Sequence, residues 1–182
     1  MSNQPVSTIE LRLDRIAQLF DPFDPFPTPS RALAKSAEEF IVGWARELPA
    51  GSRIKILVHV PEDEARSEEA GGLRDAISRH FSYRAERVRG DVHELFRTGR
   101  WSLAVGLGVL GVCVLVGHVV AGALGDNPVA RFLTEGLFIL GWVANWRPIE
   151  IFLYDWWPFT QRRKLFEQLA TAPVEVRSFS AD

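Results

Sequence analysis

WSLAVGLGVLGVCVLVGHVVAGAL, residues 101–124, runs for 24 residues without Asp, Glu, Lys or Arg. As a helix rising about 1.5 Å per residue it reaches roughly 36 Å, enough to cross a hydrocarbon core of about 30 Å with some tilt. The core helix of a large soluble protein can be equally apolar, but a chain of 182 residues has little protein with which to cover every side of one. The stretch is therefore read as a membrane span.

Downstream, GDNP at 125–128 forms a turn cluster, and the apolar pattern resumes over 129–146, about 27 Å if helical throughout. This second span carries Arg131 and Glu135. A charge at the bilayer centre costs roughly 2.5–3.5 kcal/mol, and less near an interface, where proximity to the turn places both residues. The expected fold class is a membrane α-helical hairpin (101–124 and 129–146) joined to a small cytoplasmic α/β domain of about three strands and two helices.

Short flanks set the orientation. Arg84, Arg87, Arg89, Arg97 and Arg100 precede the first span, Arg147, Arg162, Arg163 and Lys164 follow the second, and Arg131 is the basic residue near the turn. Positive charge on both outer flanks predicts an inner-membrane protein with both termini cytoplasmic. Met1–Asp14 has neither a basic leader nor an apolar run, so the first span is expected to direct insertion. Trp101, Trp142 and Trp146 then fall at the cytoplasmic interface, where indole rings are favoured.

Within the first span Ala104, Gly108, Gly111, Leu115, His118 and Gly122 share one helical face. Small residues allow close helix approach in lipid, so this face is expected to contact a helix, either the hairpin partner or a second copy. Counted from the middle of the turn, His118 and Glu135 are equally distant. An antiparallel hairpin would place them at one depth, as a polar clasp or as part of an ion or proton route.

Outside the spans, Ile9, Leu11 and Leu13, then Ile54, Ile56, Val58 and Val60, then Val174 and Val176 alternate with mostly polar residues and predict three short strands. Between the first two, Ser36 with Glu39 reads as a capping box, and Phe40, Ile41, Trp44 and Leu48 as the apolar stripe of a helix of about 12 residues closed by Pro49 and Gly51. A helical connection permits parallel pairing, and the strand near Val174 would complete the N-terminal sheet from the far side of the hairpin. Three regions follow: residues 1–100, with a proline-rich connector at 21–29 and a juxtamembrane helix over 66–100; the hairpin, 101–146; and 147–182, returning to the N-terminal domain. Gly71, Gly72, Gly90 and Gly99 are potential breaks in the juxtamembrane helix.

The segment IEIFLYDWWPF, 149–159, reads as interfacial, with Trp156 and Trp157 at the headgroup level; a tilted second span reaching Tyr154 is the alternative. Phe159, Leu165, Phe166 and Leu169 opposite Arg162, Arg163 and Lys164 predict an amphipathic helix on the inner membrane surface. DPFDPFPTP, 21–29, is a stiff extended connector whose Phe23 and Phe26 pack on the domain or the membrane surface, or anchor a partner.

Chemistry is sparse. Net charge is −2 from 21 basic and 23 acidic residues, which gives no nucleic-acid surface, and the single cysteine, Cys113, excludes a disulfide within the chain. His93–Glu94 lacks the second histidine of a zinc-protease helix, Gly106, Gly108 and Gly111 lie in an apolar span and not in a phosphate loop, and His59 and His80 read as structural. No cofactor, metal or catalytic residue is expected.

IELRL (9–13), QLFDPFDPFP (18–27), AEEFIVGWARELP (37–49) and GWVANWRPIEIFLYDWWPF (141–159) together resemble a family of small bacterial two-span membrane proteins. The resemblance implies the two-span topology and carries no activity. The functions expected are a non-enzymatic accessory or scaffold protein in the bilayer, as a homo-oligomer or part of a larger complex; an oligomeric ion or proton pathway using His118 and Glu135; or, with least support, an enzyme acting on lipids.

Overall fold

The computed structural model describes residues 6–25, 31–49, 52–125 and 127–179. The elements in chain order are β1 (Val6–Arg12), a 3-10 turn (Ile16–Leu19), α1 (Lys35–Glu47), β2 (Arg53–Pro61), α2 (Glu62–Ala65), α3 (Glu68–Leu124), α4 (Pro128–Val143), α5 (Trp146–Glu150), a π-helical turn (Ile151–Asp155), α6 (Trp156–Thr171) and β3 (Val174–Phe179). The chain divides into two compact units, Met1–Val88 with Gln161–Asp182, and Arg89–Thr160.

In the first unit three strands form one parallel sheet, ordered β1-β2-β3. Alternation fixes its faces: Ile9 pairs with Ile56 and Leu11 with Val58, while Ile56 and Val58 pair with Val174 and Val176. Ile9, Ile56, Val58 and Val60 are fully buried. Side chains of the intervening positions link the strands on the other face, where Lys55 Nζ meets Glu175 at 2.6 Å, His59 lies 3.7 Å from Glu10, and Arg12 stacks over the Phe179 ring. Helices cover the apolar face: Ile41, Val42 and Ala45 of α1, Leu73, Ile77 and Phe81 of α3, and Phe166 and Leu169 of α6 are buried, and the Phe81 and Phe166 rings stack at 6.0 Å. The third strand is thus the one foreseen near Val174.

Three expectations change here. The α1 helix begins at Lys35, its N-cap is Ala34 with no side-chain cap, and Glu39 pairs with Lys35, so Ser36 and Glu39 form no capping box. Phe40 and Trp44, at 45% and 48% exposure, lie beside each other with tilted rings outside the core, which is reached instead by the neighbouring stripe of Ile41, Val42 and Ala45. Phe166 and Leu169, assigned above to the membrane surface, are 1% and 0% exposed: the apolar face of α6 docks on the sheet domain, which offers Phe81 as a ring of matching size.

The stretches read above as a juxtamembrane helix and a first span form one uninterrupted helix, α3, of 57 residues. None of its glycines breaks it. A Cβ at Gly99 would lie 2.9 Å from Ile151 Cγ2, so this glycine admits the π-helical turn against α3, where Phe96 and Phe152 stack. The second apolar helix, α4, has 16 residues and ends at Val143; the chain resumes in α5 after a short break at residues 144–145. An 18-residue stretch within α3 is long and apolar enough to cross a membrane by length and composition. Of the proline-rich connector, Asp21–Pro25 is described, with Phe23 exposed, and 26–29 lies outside the described residues, as do Gly51 and Asp126.

Candidate functional site, the polar groove of the apolar helix pair

The turn is set by local chemistry. Gly125 adopts φ +64°, a left-handed conformation open to glycine, and its N–H donates to Ala121 O. Asn127 then caps α4, its side-chain oxygen accepting from Val129 N at 3.0 Å, with Pro128 in the first turn where no N–H is missed.

From this turn α4 packs antiparallel on the C-terminal part of α3 through small residues. A Cβ at Gly141 would meet Leu110 Cδ1 at 2.7 Å and Cys113 Cβ at 3.3 Å, one at Gly117 would meet Thr134 Cγ2 at 3.3 Å, and one at Gly106 would meet Asn145 Oδ1 at 2.7 Å. Hydrogen bonds follow the same seam. Asn145, 6% exposed, donates through Nδ2 to Gly106 O at 3.1 Å and Gly141 O at 2.9 Å, joining both helices just past the end of α4. Its Oδ1 is buried against the Gly106 backbone and has no hydrogen-bond partner among the described residues. Thr134 donates to Ala130 O at 2.8 Å and lies 3.5 Å from Gly117 O.

The seam is therefore Gly106, Leu110, Cys113 and Gly117. The stripe expected to pack, Ala104, Gly108, Gly111 and Gly122, is exposed, and open space surrounds Gly108, Gly111 and Gly122 where a Cβ would stand. Both stripes repeat at spacings of four and three and are rich in small residues. They differ by half a helical turn, and the register of the turn at Gly125 selects between them.

Two grooves border the seam. One, about 350 Å³, is lined by Gly117, His118, Ala121, Thr134 and Phe138. Ala121 and Thr134 also line the adjoining hollow toward the turn, which adds Arg131 and Glu135. The other groove, near Trp101, is lined by Val105, Val109 and Ala144. At about 100° per residue, Val105, Val109, Val112 and Val116 of α3 and Leu133 and Leu140 of α4 all turn to this second side. His118, Arg131 and Glu135 thus share one face of the helix pair, and the opposite face is mostly aliphatic, with Ser102 and Arg147 at its end near Trp101.

His118 and Glu135 do not meet. Gly117 stands level with Thr134, which sets Glu135 and His118 two residues apart in depth, about 3 Å. Both are exposed, and among the described residues neither they nor Arg131 has a hydrogen-bonded or ionic side-chain partner. The other residues singled out in the sequence are dispersed. Trp101, Trp146 and Trp157 are exposed; Trp156 is half-buried and donates to Phe152 O at 3.1 Å; Arg162 lies over the Phe166 ring; Arg163 pairs with Glu167 at 2.7 Å; Lys164 is exposed. Trp146 donates to Glu150, and Arg147 bridges Glu150 and Asp155, each at 3.2 Å.

The sheet unit contains the other polar cluster. Glu38 of α1 accepts from Arg84 at 2.7 Å and faces His80 Nε2 at 3.1 Å, while His80 Nδ1 accepts from Leu33 N at 3.4 Å. Burial pushes the His80 pKa below its ordinary value of 6.5, against the opposing pull of Glu38, which fits a neutral ring that accepts at one nitrogen and donates at the other. The cluster ties α1 and the Leu33 backbone to α3 and presents no nucleophile. Among the described residues no group of three His, Cys, Asp or Glu side chains could hold a metal. Asn145 and Thr134, the polar members of the seam, went unread in the sequence. Asn145 was detectable in principle as an amide within the apolar-aromatic phrase GWVANW.

Comparison with protein-family models, curated proteins and solved structures finds no match to this chain.

Proposed function

We propose that this chain is a two-span integral membrane protein of the bacterial inner membrane, with both termini cytoplasmic, acting as a non-enzymatic scaffold or accessory subunit. The carrying observation is the outward placement of apolar side chains on the α3–α4 pair: Leu107, Val112, Leu115, Val119, Phe138, Ile139 and Leu140 are all more than half exposed. In water such a surface costs about 25 cal/mol for each Å² left uncovered, and hydrocarbon removes that cost. The arginines flanking both apolar stretches support the inside orientation, and α4, at 16 residues, reaches the needed span by local thinning of the bilayer or by continuing through α5 toward Tyr154. The resemblance to small two-span proteins agrees with this topology.

Alkaline carbonate extraction should leave the protein in the membrane pellet, and reporters fused after Asp182 and inserted at Asn127 should read opposite sides. Release into the supernatant would sink the membrane assignment. For the scaffold role, purification in mild detergent should bring down a second polypeptide; isolation always without one counts against it. A second reading, an oligomeric ion or proton pathway, is favoured by the concentration of His118, Arg131 and Glu135 on one groove. It predicts flux in liposomes that His118→Ala and Glu135→Gln diminish.

A further inference from the structure

We infer that the groove lined by His118, Arg131 and Glu135 is a self-association surface, covered in the membrane by a second copy of this chain. The inference rests on the membrane reading above. Arg131 and Glu135 stand one turn apart on α4, on the outside of the helix pair, without ionic partners among the described residues. Ionised groups left against lipid carry a cost, lower this near the turn than at the bilayer centre, and those in spans face protein or water. Their own mutual pairing is the weak arrangement: an acidic residue preceding a basic one by four along a helix is the better order, and here the basic residue comes first.

A second copy supplies what each lacks. Parallel copies related by a two-fold axis along the membrane normal keep every residue at its own depth. Arg131 of one copy then needs to reach only four residues of helix rise, about 6 Å, to Glu135 of the other, and the symmetric pair forms simultaneously. His118 lies within two residues of the Glu135 level and adds a hydrogen-bonding group to the same contact. The face carries one unpaired acid and one unpaired base and so is complementary to itself. The opposite face around Val109, Val112 and Leu140 is mostly aliphatic, its one charged lining residue, Arg147, being paired already with Glu150 and Asp155, and it remains against lipid. Closure of the contact would also desolvate the groove beside Thr134 and Phe138.

The test uses full-length protein carrying two different affinity tags, co-expressed and solubilised in mild detergent. Two wild-type copies should co-purify. Glu135→Arg alone and Arg131→Glu alone should each reduce co-purification of identical copies at least about tenfold, because like charges then face each other. Glu135→Arg co-expressed with Arg131→Glu should restore it. That last result separates pairing between copies from pairing within one helix, since each chain then carries charges of a single sign. Wild-type copies that do not co-purify, or single variants that co-purify as well as wild type, overturn the inference. Membrane fractionation of the same samples keeps the readings apart: wild type found outside the membrane fails the membrane reading, whereas wild type inserted but monomeric fails this one. Should the charge variants not insert, Phe138→Cys in a Cys113→Ala background should cross-link between copies under mild oxidation and Leu140→Cys should not. Equal cross-linking from both faces, or none from Phe138→Cys, overturns the inference as well.

Discussion

The sheet unit and the α3–α4 pair use similar apolar side chains in opposite ways. In the first, Ile9, Ile56, Phe81 and Phe166 are buried at the centre while charged residues such as Lys55 and Glu175 pair on the open face of the sheet. In the second, most valines and leucines point outward and the interior is a narrow seam of glycines with Leu110, Cys113, Thr134 and Asn145. On the membrane reading proposed above, two solvents explain the contrast. Water drives apolar groups together, so the sheet unit is held by burial. Hydrocarbon gives no such drive between helices, so on that reading the pair depends on close backbone approach and on hydrogen bonds across the seam.

Substitutions that treat the two regions alike should therefore break the contrast most visibly. Phe81→Ala removes a ring that is 0% exposed between the sheet and α6; denaturant unfolding followed by near-UV circular dichroism should show a loss of about 3–5 kcal/mol. Leu140→Ala, at 58% exposure on the aliphatic face, should change stability in detergent by no more than about 0.5 kcal/mol. Comparable losses at both sites would mean that the α3–α4 pair is packed like a water-soluble core.

A sharper version opposes the two glycine stripes. Gly141→Val forces a side chain into Leu110 and Cys113, and should cost about 1–3 kcal/mol of helix pairing, read from tryptophan fluorescence during a denaturing-detergent titration. Gly108→Val, with open space around its Cβ, should leave that titration unchanged. Asn145→Leu deletes the bridge to Gly106 and Gly141 and should cost about 0.6–2 kcal/mol in the same assay.

The smallest effect concerns pH and belongs to the sheet unit. Burial lowers the His80 pKa in the folded protein, so the unfolded chain binds the proton more readily. Stability should be constant above the ordinary value of 6.5 and fall as pH drops through it, with the Leu33 amide exchanging faster as His80 Nδ1 is protonated and ceases to accept. His80→Phe should abolish this part of the pH dependence in a thermal melt. A slope of the opposite sign would mean that the Glu38 contact outweighs burial.

Much of this contrast was legible in the sequence. Alternation at Ile54–Val60 and Val174–Val176 located the strands because a period of two leaves little freedom. The charge-free run at 101–124 located the apolar helix by its length. Which side of a helix faces inward was harder to read. In α1 the aromatics Phe40 and Trp44 outweigh Ile41, Val42 and Ala45 in any count of apolar residues, yet the smaller set fits against the strands. In α3 two small-residue stripes at equivalent spacing differ only through the turn that follows them. Both ambiguities concern rotation about a helix axis, which periodicity defines only up to the choice of stripe. The polar face escaped for a related reason. His118 and Glu135 are close in depth, but their common exposure follows from where Thr134 and Gly117 touch.

The order of strands in the sheet also sets a timetable for synthesis. Strand β2 occupies the centre, and its second neighbour, β3, is translated only after the 112 residues from Glu62 to Pro173, which include both apolar helices. At ribosomal speeds of about 5–20 residues per second this is a wait on the order of ten seconds, during which β2 presents an unpaired edge. The ribosome must deliver both apolar helices before the sheet can close. A nascent chain stalled in that interval would carry its most adhesive strand uncovered, and so be recognisable to chaperones and proteases as unfinished.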